Sequence, residues 1–375
     1  MTSDLITVVT ATLGDSCGHL SRVLTELRQF TKIPFRQIVS DDGTADRSVC
    51  DRQRAVVNAH GATWTENPGP VFGISYNLNW LFEQVRTPWA FLIEDATRPS
   101  AGWLETAMDA LERVGLKKWG GYPVGAIGMA TSFEDWHLAS AKALPTSLQL
   151  PDFFAKYSGE NYAAFWGSAR HPHWNDGYWC WKRMYQAALE SSRDHAADNW
   201  PEIIRRTWRD PILRGDIGGM KWSEIQHKGA WVASSGWPTT RGVSWAFGPS
   251  AWCLVNLDAW RAAGRWRDGC TFYEGHFGVR LAKSGYLSLN AECPPWLHKS
   301  GLAFQIKDQQ RHPRHHEPVD GPNGILERDF GCNGSDHQDL AGLTRSYFPA
   351  GKLDEINAEL SPIKLYMEPG WEQWE

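Results

Sequence analysis

The chain has no cysteine framework, no long apolar run and no block of one charge. Its seven cysteines, Cys17, Cys50, Cys180, Cys253, Cys270, Cys293 and Cys332, are scattered, odd in number and never spaced CxxC. Reduced thiols of a cytoplasmic-type protein are therefore expected. No apolar stretch approaches the roughly 20 residues needed to cross a bilayer, so no membrane insertion is expected. The opening Met1-Thr2-Ser3-Asp4 lacks a basic n-region followed by an apolar h-region, so a secretory signal is not expected either. Lys and Arg total 38 against 43 Asp and Glu, a formal net charge of −5, and nothing in that balance demands a nucleic acid or an anionic membrane. There is no internal repeat and no long low-complexity tract. G-x-G-x-x-G is also missing after the first apolar run. Thr10-Ala11-Thr12-Leu13-Gly14-Asp15 stands there instead, which argues against a dinucleotide site. With no Walker A motif as well, a phosphorylated ligand would be held through a metal rather than in a glycine-rich nest.

What is present is a chain of 375 residues, enough for one large domain or two with a sizeable core. Tryptophan is the compositional outlier, with 22 copies. Single copies are expected to fill core and edge positions, whereas many in one segment suggest a surface that stacks sugar rings or bases. Leu5-Ile6-Thr7-Val8-Val9 reads as a buried parallel strand. Leu20, Val23, Leu24, Leu27 and Phe30 follow at helical spacing, and Pro34 closes that helix region. A second strand ends at Ser40, a helix is predicted over 46–60, and Thr63-Trp64-Thr65 reads as a short strand. A turn-rich loop from Gly69 to Gly73 leads into a helical stripe of Ile74, Leu78, Leu81, Phe82 and Val85. Trp89 to Ile93 is the next strand, and Leu104, Ala107, Met108, Leu111 and Val114 mark another helix. This alternation predicts an α/β, doubly wound sheet over residues 1–130. Residues 131–242 break the rhythm and hold ten tryptophans, a Trp-rich insertion. The pattern resumes over 243–305, with helices at Leu257–Ala263 and His276–Ser284 and a strand after Tyr286. Residues 306–375 read as a loop-rich C-terminal extension.

Two of the predicted strands end in acids: Ile38-Val39-Ser40-Asp41-Asp42-Gly43 and, about fifty residues later, Phe91-Leu92-Ile93-Glu94-Asp95. Alone, an Asp-Gly after a strand makes a turn, and acids at a strand end cap the next helix. Together, on adjacent βα units, they form a crevice suited to a divalent metal and a phosphorylated nucleotide.

The ordered set resembles the family-2 glycosyltransferases of GT-A fold. Thr10-Ala11-Thr12-Leu13 stands in the place of their first loop, and Asp41-Asp42-Gly43-Thr44 matches their Asp-Asp-Gly-Ser. Gly73-Ile74-Ser75-Tyr76-Asn77 matches a Gly-x-x-x-Asn segment. Glu94-Asp95 matches the end of the acidic metal strand, and Pro99 and Gly102-Trp103-Leu104 match the Pro and Gly-Trp-Leu beyond it. Phe247-Gly248-Pro249-Ser250 stands where an acceptor loop precedes a helix. Phe272-Tyr273-Glu274 with Val279-Arg280-Leu281-Ala282-Lys283-Ser284-Gly285-Tyr286 resembles the Glu-Asp segment and the helix end after it, and His298-Lys299-Ser300-Gly301 resembles a late metal-binding histidine. The likeness covers roughly 5–130 and 243–301. It departs from the family where Asp-x-Asp becomes Glu94-Asp95-Ala96-Thr97 and where Glu-Asp becomes Glu274-Gly275.

The resemblance implies a GT-A mixed sheet and transfer of a sugar from a nucleotide-diphosphate donor, UDP by default, with Mn²⁺ or Mg²⁺ as cofactor. Thr10, Ala11 and Thr12 would line the nucleotide loop. Asp41 and Asp42 would bind base or ribose, with Gly73 and Asn77 beside them. Glu94 and Asp95 would hold the metal or touch the ribose, and His298 would be a further ligand. Glu274 would be the base of a single-displacement, inverting reaction; its structural alternative is an acid favoured at a helix N-terminus. A hard cation would stabilise the departing diphosphate.

The acceptor is not written in the sequence. Phe247, Gly248, Trp179 and Trp181 are candidates to contact it, and the two tryptophans would share one face of a strand. A glycan is one acceptor. Hydroxymethylated DNA is another, since phage enzymes of that kind include GT-A-like proteins and Arg205, Arg206, Arg209, Arg214, Lys221, Lys228 and Arg241 make the insertion locally basic. Glu202, Asp210, Asp216 and Glu224 interrupt that patch. A non-catalytic carbohydrate-binding protein on the same fold is a third reading, and a nucleotidyltransferase is disfavoured by the absence of Lys or Arg in Thr10–Asp15. The run His312, His315, His316 reads as a solvated basic loop.

Overall fold

A computed structural model describes residues 5–14, 19–95, 97–99, 102–129, 216–217, 220–221, 243–249, 252–270, 273–291, 297–298, 325, 328–331 and 337–366. The elements are β1 (Ile6–Thr12), α1 (His19–Gln29), β2 (Arg36–Asp41), α2 (Arg47–Ala59), β3 (Thr63–Glu66), α3 (Ile74–Gln84), β4 (Trp89–Leu92), β5 (Thr97–Arg98) and α4 (Trp103–Ala110), which continues in a π-helical turn, Leu111–Gly115. The chain goes on through β6 (Lys118–Trp119), β7 (Tyr122–Gly128), β8 (Asp216–Ile217), β9 (Met220–Lys221), β10 (Val243–Trp245), β11 (Cys253–Asn256), α5 (Leu257–Ala262), α6 (Tyr273–Lys283), β12 (Leu287–Ala291), β13 (Leu297–His298), α7 (His337–Ser346) and α8 (Lys352–Leu360).

Nine strands form the main sheet, in the order β10-β12-β7-β11-β4-β1-β2-β3 with β6 on β7. The strands from β3 to β4 are mutually parallel, while β11 runs antiparallel between β4 and β7. This is the mixed, doubly wound α/β sheet expected of a GT-A fold. The central strands β4 and β11 are apolar runs because both faces are covered. Val8 and Phe91 point into a cluster with Leu27, Trp103 and Leu104; Val9 and Leu92 point into one with Leu78, Phe82, Trp260 and Phe277. Full burial of such side chains stabilises by about 1.5–3 kcal/mol each. Trp89, Trp103, Trp252, Trp260 and Trp266 are among the largest fully buried side chains, so these copies fill the core.

The C-terminal segment, expected to be loop-rich, carries α7 and α8. Leu353, Ile356 and Leu360 of α8 enter the core, and Asn357 Oδ1 accepts the Trp245 backbone N–H at 2.7 Å, so α8 lies against β10. The apolar positions of α8 recur at helical spacing, 353, 356 and 360, a short stripe that polar neighbours obscure in the sequence. Among the described residues no helix is long and apolar enough to cross a membrane.

Candidate active site

Parallel strands deliver their next residues to one edge, and here β1, β2 and β4 bring Thr12, Asp41-Asp42 and Glu94-Asp95 together. The Asp42 N–H donates to the Thr12 carbonyl at 2.8 Å, and Thr12 Oγ1 donates to Asp95 Oδ2 at 2.7 Å. Asp41 closes its own turn. Its Oδ2 accepts from the N–H groups of Gly43 and Thr44 at 3.0 and 2.8 Å, and its other oxygen accepts from the Thr44 hydroxyl. Burial pushes the Asp41 carboxyl up, while the Thr44 and Gly43 hydrogen bonds pull it down. Asp42 Oδ1 accepts from Asn67 Nδ2 at 3.2 Å and from the Gly73 N–H at 3.0 Å. Gly73 stands at φ 141°, a region open to glycine, and begins α3.

Three expected nucleotide contacts are placed within this frame rather than on its surface. Asn77 is fully buried, donating through Nδ2 to the Ser40 carbonyl and accepting the Ser40 hydroxyl. Thr10 is equally buried and accepts from Gln37 Nε2 at 3.3 Å. Ala11 is buried beside them.

Glu94 and Glu274 differ from Asp41, Asp42 and Asp95: these two acids are half-buried, the other three buried. Glu94 meets the second half of the sheet at Tyr273, whose hydroxyl donates to Glu94 Oε1 at 3.5 Å and also interacts with the Glu274 side chain. Trp266 sets the Tyr273 ring, edge to face at 5.4 Å. Burial, reinforced by Glu274 and Glu94, raises both the Tyr273 phenol and the Cys253 thiol well above their ordinary values. Both groups therefore lie in the field of both carboxylates. The register of β11 explains this, because Cys253 faces Leu92, two residues before Glu94.

Glu274 is in the first turn of α6, where the helix dipole favours a carboxylate. Missing Cβ atoms let the loop at Phe247-Gly248 sit on that turn. A Cβ on Gly248 would lie 2.9 Å from the Glu274 carbonyl, and one on Gly278 would lie 2.1 Å from the Phe247 carbonyl. Gly248 thus reaches the turn that carries Glu274. Phe247 packs with Val279 and Leu340, so α7 is joined to the same loop.

The backbone of His298 pairs with Thr97, two residues after Asp95. Among the described residues no three His, Cys, Asp or Glu groups stand close enough to hold a metal ion. Glu94 and Asp95 would supply two carboxylates, and Mg²⁺ or Mn²⁺ commonly takes one or two and completes its shell with phosphate and water. Trp179 and Trp181 lie outside the described residues, as do His312, His315 and His316. Tyr273, Asn67 and Gln53 were not singled out by the sequence. Tyr273 lay inside a matched segment, and the other two carry no local signal.

No protein-family model matches this chain, and no curated protein matches it. Solved structures resemble it in part. A mannosyltransferase from Pyrobaculum calidifontis, PcManGT, in complex with GDP-Man and Mn²⁺, is 12% identical over 94% of this chain and 73% of its own, with a TM-score of 0.41. S. aureus TarS 1–349 in complex with UDP-GlcNAc is 12% identical over 34% of each chain, with a TM-score of 0.28. TarS 1–349 without that ligand is 14% identical over 34% of this chain and 36% of its own, with a TM-score of 0.27. The match therefore spans about a third of the length of those TarS structures.

Proposed function

We propose that this chain is a metal-dependent, inverting glycosyltransferase that moves a sugar from a nucleotide-diphosphate donor, a UDP-sugar, to a hydroxyl of a glycan. The observation that carries this reading is the meeting of Glu94 and Glu274 at Tyr273, directly beside the Asp95–Thr12 bond at the ends of β4 and β1. One partly exposed carboxylate from each half of the sheet stands at the edge where a donor and an acceptor would be joined.

Asp41 and Asp42 would shape the nucleoside end of the donor site, and Thr12 and Gly14 would lie under the phosphates. Glu94 and Asp95 would hold a divalent cation, with His298 as a further ligand. A bound cation would neutralise charge on the departing diphosphate. Glu274 takes the proton from the acceptor hydroxyl as its oxygen bonds to the anomeric carbon. The bond from that carbon to the β-phosphate oxygen breaks, and the nucleoside diphosphate leaves with the electron pair. A single displacement of this kind inverts the anomeric centre.

The test is a thermal-shift screen of nucleotide sugars with and without Mn²⁺, followed by transfer assays on glycans and on hydroxymethylated DNA. A ligand that binds only the folded state raises Tm by mass action. A Mn²⁺-dependent rise with a UDP-sugar is expected, with transfer to a glycan. Folded protein that shifts with no nucleotide sugar would overturn the proposal in favour of a binding protein. Transfer to hydroxymethylated DNA alone would overturn the choice of acceptor.

A further inference from the structure

A series of hydrogen bonds through Thr12 and Gly14 joins the two acidic ends of the sheet. The side-chain amide of Gln53, on α2, donates through Nε2 to Thr12 Oγ1 at 3.1 Å and to the Gly14 carbonyl at 2.8 Å. A carbonyl can only accept, so the Gly14 contact fixes which end of the amide is nitrogen. Thr12 Oγ1, accepting from Gln53, has its own proton to give, and donates it to Asp95 Oδ2 at 2.7 Å. On the other side, the Gly14 N–H donates to Thr44 Oγ1 at 2.8 Å, and the Thr44 hydroxyl donates to Asp41. Both arms end on a carboxylate, one in each acidic motif.

Gln53 is 2% exposed, and its Oε1 is buried with no hydrogen-bond partner. An unpartnered buried acceptor costs stability that leucine or methionine would avoid. Packing alone therefore gives no reason for an amide at this position. Its two donors do, because they are the only part of the side chain that is used.

We propose that Gln53 is a positioning residue that couples Asp95, at the metal end of the donor site, to Asp41, at the nucleoside end. Occupying one end then holds the loop in the shape that the other end requires. Gln53 acts through Thr12 and Gly14. Ordering the loop in advance lowers what binding must spend on it. The inference rests on the nucleotide-sugar reading above and adds to it a residue and a form of regulation within the site.

The experiment measures UDP affinity by isothermal titration, with and without Mn²⁺, in the wild type, Gln53→Leu and Thr12→Val. The quantity read is the factor by which Mn²⁺ tightens UDP. In Gln53→Leu that factor should fall by about tenfold, as for loss of a support to a metal-binding group. Metal-free UDP affinity should change little, and donor KM should rise with acceptor KM unchanged. A merely structural role would weaken both UDP measurements alike. Thr12→Val should remove the same coupling, and Thr12→Val/Gln53→Leu should lose no more than Thr12→Val alone. Gln53→Met, which also lacks both donors, gives the same reading if Gln53→Leu fails to fold. An unchanged Mn²⁺ factor in Gln53→Leu, or additive losses in the double variant, overturns the coupling alone. Wild-type protein that binds UDP without any effect of Mn²⁺ also overturns it. Wild-type protein that binds neither UDP nor any nucleotide sugar overturns the functional reading and this inference with it.

Discussion

The acids at the two ends of the crevice are held by different means. Asp41 and Asp42 are buried and satisfied by donors from their own half of the chain: Gly43, Thr44, Asn67 and Gly73. Glu94 and Glu274 are half-buried and meet through one phenol, with β11, α6 and the Gly248 loop bringing them together. Three of those donors are backbone N–H groups, of Gly43, Thr44 and Gly73, so the first pair is held largely by the chain itself. The second pair depends on the docking of distant elements, and its partial exposure suits groups that take and hold protons. On the proposed reading, the contrast separates a donor-binding end of the site from a catalytic end.

The largest effect should come from the catalytic end. Glu274→Gln keeps size and removes the proposed base, so transfer should fall by about 10²–10⁴ while donor affinity stays near wild type. Steady-state kcat beside donor Kd decides this, and a variant that transfers at the wild-type rate sinks the assignment. Next comes the docking that places Glu274. Gly278→Ala puts a Cβ against the Phe247 carbonyl, so overpacking should cost about 1–3 kcal/mol in urea unfolding and lower kcat as the loop and α6 separate.

Asp42→Ala strands the Gly73 N–H and leaves the Asn67 amide only its Val71 carbonyl acceptor, a loss of about 1–3 kcal/mol, and should raise donor KM more than it lowers kcat. If Asp42→Ala instead lowers kcat as far as Glu274→Gln, the division between donor-binding and catalytic ends is wrong.

The last test reads stability rather than turnover, as a pH dependence at His276 of α6. His276 Nε2 lies 3.0 Å from Asp329 Oδ2, with Arg267 also on Asp329 and Phe330 against the ring. Burial lowers His276 from its ordinary 6.5 to about 4; Asp329 pulls it upward, and Arg280 and Arg267 push it down. Between those values the unfolded chain binds a proton that the folded chain does not. The contribution of neutral His276 is therefore complete above pH 6.5 and lost as pH falls toward about 4. Asp329, lowered to about 2 chiefly by its Arg267 hydrogen bond, loses its own contribution further down, from 3.8 toward that value. His276→Phe should flatten Tm against pH between 6.5 and 4; an unchanged slope would place the titration elsewhere.

Legibility followed the length of the contacts. β1, β2, β4 and helices α1 to α4 were readable because each buries a face set by local spacing, as Val23 with Leu27 and Leu78 with Leu81 and Phe82 do. The Asp41-Asp42-Gly43 turn and the Gly73 helix start were readable because glycine and aspartate impose local geometry. Gln53 was not, since nothing near it in the chain indicates that its amide reaches across to Thr12 and Gly14. The helices after residue 336 were missed because their apolar positions acquire meaning only against β10 and α6, as Leu340 does against Val279.

By itself, then, the sequence determined the alternating strands and helices, the two acidic strand ends and the turns beyond them. Backbone dihedral preferences and the periodic burial of apolar side chains act within a few residues, so they are written locally. Only the tertiary structure decided that Glu94 and Glu274 meet at Tyr273, that Thr12 answers to both Gln53 and Asp95, and that α7 and α8 close the second half. The first and last of these depend on the antiparallel insertion of β11 and on backbones that approach closely where glycine leaves room. Such contacts join residues far apart in the chain, and their energy appears only when the sheet is assembled.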